Sequence, residues 1–153
     1  MRSLPIFGLL ALSLPALAQF RTIEIQFEGI GCASCIESLP SRIQRLRGIT
    51  SAKIDTQKQI LIVELAEANR VRVEQIRDAI EQDGTKTTKA SVTVRGELSE
   101  KDGKWILALP GVPATYEVSS ATPPEAGTHL ITGGIEKLRP DSGSLVVIAT
   151  KID

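Results

Sequence analysis

The hydrophobic period of this chain changes repeatedly over its first ninety residues, and that change constrains the fold more than any other feature. Between residues 20 and 28, Ile23, Ile25 and Phe27 fall on one side of a two-residue alternation, and Phe20, Thr22, Glu24 and Gln26 fall on the other. This predicts a half-buried strand. Ile36, Leu39, Ile43 and Leu46 then recur at spacings of three and four, the stripe of an amphipathic helix that stops at Gly48. Two strands follow, at about 49–55 and 59–65, joined by the polar turn Thr56-Gln57-Lys58. Val73, Ile76 and Ile80 mark a second helix with Asp83-Gly84 as its stop, and a further strand begins near Lys86.

The order β-α-β-β-α-β predicts an α+β unit of the ferredoxin-like type. Pro40 sits inside the first helical stripe, where it lacks a donor and crowds the preceding turn. Two arrangements satisfy it. The helix kinks there, or its regular part begins only at Leu39-Pro40 with Ser38 as cap.

The only two cysteines, Cys32 and Cys35, lie between the first strand and the first helix, in Gly29-Ile30-Gly31-Cys32-Ala33-Ser34-Cys35. Two thiols at this spacing can clamp one soft metal ion or close a small redox disulfide. Met1 is the sole methionine and His129 the sole histidine, so soft ligation rests on Cys32 and Cys35. A helix start beside them supplies free N–H groups and the positive end of the dipole, which favour thiolates. Two ligands leave a site open to a third thiolate from another protein, a design suited to transfer. No residue pattern suggests a general base or an activated nucleophile, and the chain is not expected to be an enzyme.

The compartment matters to any thiol. Arg2, the apolar run 4–14 and Ala16-Leu17-Ala18 have the order of a cleavable signal peptide over 1–18, cut after Ala18. The run is shorter than the roughly 20 residues of a spanning helix and contains Pro5 and Pro15, so no stable membrane insertion is expected after cleavage. The expected location is periplasmic or secreted, where thiols oxidise readily. Lys and Arg total 18 against 18 Asp and Glu, and with so few aromatic residues there is no footprint for nucleic acid.

Residues 20–88 resemble the heavy-metal-associated domain, the module of copper chaperones, copper-pump amino termini and periplasmic mercury-binding proteins. The motif G-M-T-C-x-x-C is matched by Gly29 to Cys35, and the spacing continues through Ile36, Leu39, Ile43, Gly48, Val73, Ile76, Ala79, Ile80 and Gly84. The resemblance implies a metal site at Cys32 and Cys35, with Cu(I) foremost and Hg(II), Zn(II) or Cd(II) as other occupants. It also implies a donor or acceptor protein as partner. The motif's methionine is Ile30 here, its threonine is Gly31, and Thr85 followed by Lys86 stands where Tyr, Phe or Lys often occurs. The competing reading is a thiol-disulfide redox or adaptor protein using the same cysteine pair.

Residues 89–153 have no helical stripe. Asp102-Gly103, Pro110-Gly111, Pro123-Pro124, Gly133-Gly134 and Asp141-Ser142-Gly143 punctuate strand-like runs at 91–98, 104–109, 115–118, 129–135 and 145–151. This predicts a small all-β domain, similar to an OB-type barrel. The chain is thus expected to comprise a leader at 1–18, a ferredoxin-like unit at 19–88 and a small all-β domain at 89–153. No low-complexity linker separates the last two units, which allows the fourth strand of one and the first strand of the other to be a continuous segment. Trp105 is expected in its core, and His129, without companions, is expected to be no ligand.

Overall fold

The computed structural model describes residues 19–29 and 32–153, so the expected leader, Ile30 and Gly31 lie outside the described residues. The first six elements are β1 (Gln19–Glu28), α1 (Ala33–Gln44), β2 (Ile49–Asp55), β3 (Ile60–Leu65), α2 (Val73–Glu81) and β4 (Lys86–Lys101). They form an antiparallel sheet in the order β2-β3-β1-β4, the ferredoxin-like arrangement.

Each element follows its periodicity. Ile23, Ile25 and Phe27 of β1, Leu61 and Val63 of β3, Leu39 and Ile43 of α1, and Val73, Ile76 and Ile80 of α2 are all buried. Phe20 departs from the expected alternation: it is fully buried with Ile23 rather than sharing the outer face of Thr22. A register shift between Phe20 and Thr22 is the cause, because one extra residue moves everything before it to the opposite face. Helix α1 runs through Pro40 rather than starting at it. Its regular part ends at Gln44, and Leu46 packs from the following turn, which Gly48 closes with φ +99°.

β4 continues for 16 residues, past the end of the ferredoxin-like sheet. Beyond it come β5 (Lys104–Ala108), β6 (Thr115–Ser120), β7 (Gly127–Ile135) and β8 (Val146–Ile152). They pair in the order β4-β5-β6-β8-β7, and β7 returns to β4, closing a ring of five strands in which β6 and β8 run parallel. The expected boundary between residues 88 and 89 therefore falls inside a single strand.

Ala90, Val92, Val94 and Leu98 of β4 are buried in the same cluster as residues of both helices and of the ring strands. One hydrophobic core consequently runs from Phe20 to Val147 without interruption. The Phe20 and Tyr116 rings meet edge to face at 5.3 Å across the junction. Trp105 is half-buried against this core.

Candidate metal centre

Sequence and backbone together put both cysteines at the start of α1. Gly29 leaves β1 with φ +72°, a left-handed conformation that glycine adopts without strain. Cys32 is the N-cap in extended conformation, and its sulfur accepts a hydrogen bond from the Cys35 backbone N–H at 3.1 Å. Cys35 sits one turn into the helix. The Ser38 hydroxyl donates to the Cys35 carbonyl at 3.0 Å, and Ser34 Oγ lies 3.3 Å from the Cys32 sulfur. No acidic residue occupies the first turn, so the positive end of the helix dipole acts on the sulfurs unopposed.

Both cysteines are half-buried, and they are joined in a disulfide with their Cα atoms 5.3 Å apart. The two sulfurs stand at the edge of solvent, where a reductant can reach them. Among the described residues no group of three or more His, Cys, Asp or Glu side chains converges on a metal position.

The loop after α2 borders this end of the molecule, because Glu28 and Lys86 face each other on β1 and β4. Thr85 is buried, and its N–H and hydroxyl both donate to Asp83 Oδ1, at 3.2 and 2.7 Å. Arg42 of α1 donates to Asp83 Oδ2 at 2.9 Å. Burial pushes the Asp83 carboxyl up, but the Thr85 and Arg42 hydrogen bonds outweigh it and hold the group below its ordinary range. Thr85 thus locks its loop instead of reaching toward the sulfurs, while Lys86 remains exposed. The Arg42–Asp83–Thr85 connection was not visible beforehand, since its members are separated by 41 residues and by a helix.

His129 lies far along the chain on β7, where its Nε2 is 3.0 Å from the Glu125 carbonyl oxygen. Nothing brings it to Cys32 and Cys35.

The heavy-metal-associated domain model matches residues 24–87. Copper chaperone CopZ of Staphylococcus haemolyticus is 42% identical over 60 residues, which cover 39% of this chain and 87% of that relative. The chain belongs to the heavy-metal-associated domain family. Two solved structures are also similar to this heavy-metal-associated protein. A CopZ metallochaperone has 27% identity and a TM-score of 0.39, covering 43% of this chain and 97% of that one. The yeast copper transporter domain Ccc2a has 22% identity and a TM-score of 0.40, covering 44% and 90%. No helix among the described residues is long and apolar enough to cross a membrane.

Proposed function

We propose that this chain is an exported carrier that binds one Cu(I) through the reduced thiols of Cys32 and Cys35 and passes it to another protein. The observation that carries this reading is the placement of both sulfurs at the N-cap and first turn of α1, with no acid beside them. Soft thiolates select Cu(I), and two of them leave the ion open to attack by a partner's thiolate. Binding releases the thiol protons, so affinity rises with pH until both thiols are ionised. The copper-chaperone name of the 42% identical relative supports copper over mercury as cargo.

The finer architecture belongs to the same proposal. A leader at 1–18 would deliver the chain outside the cytoplasm. The metal-handling unit at 19–88 and the β unit at 89–153 share β4. The ring order, with its third and fifth strands parallel, supports an OB-type barrel for the second unit.

One specific observation favours a second reading: the disulfide itself, which a thiol-disulfide redox or adaptor protein would cycle. Equilibrium titration of the dithiol form with Cu(I), Hg(II), Zn(II) and Cd(II) separates the two. The carrier binds one Cu(I) per chain, and Cys32→Ser/Cys35→Ser abolishes it. Failure to bind any of these ions tightly, together with a reduction potential in the catalytic range, would falsify the carrier reading.

A further inference from the structure

Away from Cys32 and Cys35, the turn after α1 and the loop before α2 meet around a cavity of about 560 Å³. Arg47 and Arg70 line it, with Leu46, Val71, Gln75 and the Gly48 backbone. Arg42, Arg77 and Arg139 each hold a carboxylate, whereas among the described residues Arg47 and Arg70 make no ion pair. The carboxylate nearest in sequence, Glu67, does not line the cavity.

The backbone beneath the two arginines is fixed. Asn69, only 6% exposed, receives Val71 N–H on its side-chain oxygen and donates through its amide to the Phe20 and Ala66 carbonyls. Its own N–H goes to Gln19 Oε1 at 3.0 Å. Gly48 packs so closely on it that an added Cβ would lie 2.7 Å from Asn69 Cβ. Arg47 precedes Gly48 and Arg70 follows Asn69, so the two guanidinium groups spring from backbones in contact. Both side chains are exposed, and guanidinium groups suit oxyanions with several acceptor oxygens.

We infer that this cavity binds a phosphate group, with Arg47 and Arg70 taking its oxygens and Leu46 and Val71 covering whatever apolar part it carries. The phosphate comes either from a soluble small molecule or from a lipid headgroup, and the two sources share this chemistry.

Amide NMR of the full chain titrated with inorganic phosphate tests the site. Saturable shifts confined to residues around Gly48 and Arg70 are expected. In Arg47→Ala/Arg70→Ala they should weaken about tenfold or more, as the loss of a charge-assisted hydrogen bond implies. Arg47→Gln/Arg70→Gln replaces that variant if the alanine form melts early. Co-sedimentation with phosphatidylglycerol vesicles but not phosphatidylcholine vesicles, lost in the double variant, assigns the lipid source. Phosphate shifts without sedimentation assign the soluble one. Shifts scattered over all cationic residues, shifts surviving the double variant, or no response to either probe overturn the inference.

Discussion

Gly133 needs its missing side chain for space. A Cβ there would sit 2.4 Å from the Ile148 carbonyl oxygen and 3.0 Å from Ala149 Cα, both backbone atoms of β8 that cannot swing aside. Gly133→Ala therefore forces β7 from β8, and overpacking of this kind costs about 1–3 kcal/mol. Urea unfolding should show a lower midpoint with an unchanged slope. From sequence, Thr132-Gly133-Gly134 marks a strand, but nothing in it says which glycine is crowded. The position of Cys32 and Cys35 at the start of α1 was legible because the flanking periodicity is local. Asn69 was not, since its meaning depends on Gln19, 50 residues away. Phe20 misled because a bulge inverts the phase of an alternation without changing its composition.

Helix α2 joins the two halves at the scale of elements. Its Glu74 accepts from the Tyr116 hydroxyl at 3.0 Å, Arg77 donates to the Leu138 carbonyl at 2.6 Å, and Glu81 takes Arg139 from the β7–β8 connection. Burial raises the Glu81 carboxyl, yet hydrogen bonds from Thr87 and Arg139 outweigh it, and the group lies below its ordinary value. Asp83, two residues on, is lowered likewise. Ionisation of both then favours the fold. That contribution is complete above the ordinary values of 4.5 for Glu81 and 3.8 for Asp83, and it is lost as pH falls through the folded values. Denaturant midpoints measured from pH 7 downward should fall in that window, and Arg139→Ala should make the fall shallower. The elements themselves were readable from period and stops. Their docking was not, because a carboxylate on an exposed helix face looks the same whether or not a distant arginine covers it.

For the whole molecule, β4 decides what can be separated from what. Cutting after Thr88 removes six of the eight β1–β4 pairs, leaving Phe27–Thr87 and Glu28–Lys86. Residues 19–88 alone should give collapsed amide NMR dispersion, whereas the chain through Asp153 stays folded. The all-β character of the second half was legible from its turns. Closure of the ring was not, because the β4–β7 pairs lie 29 to 45 residues apart and leave no local trace. The shared strand also has a hydrodynamic consequence. Two modules on a tether would reorient separately, each with its own rotational correlation time. This chain should tumble as one anisotropic body, and ¹⁵N relaxation should return a single diffusion tensor for the amides of α1 and of β8. An ion carried at Cys32 and Cys35 would then leave in a direction set by the orientation of the ring.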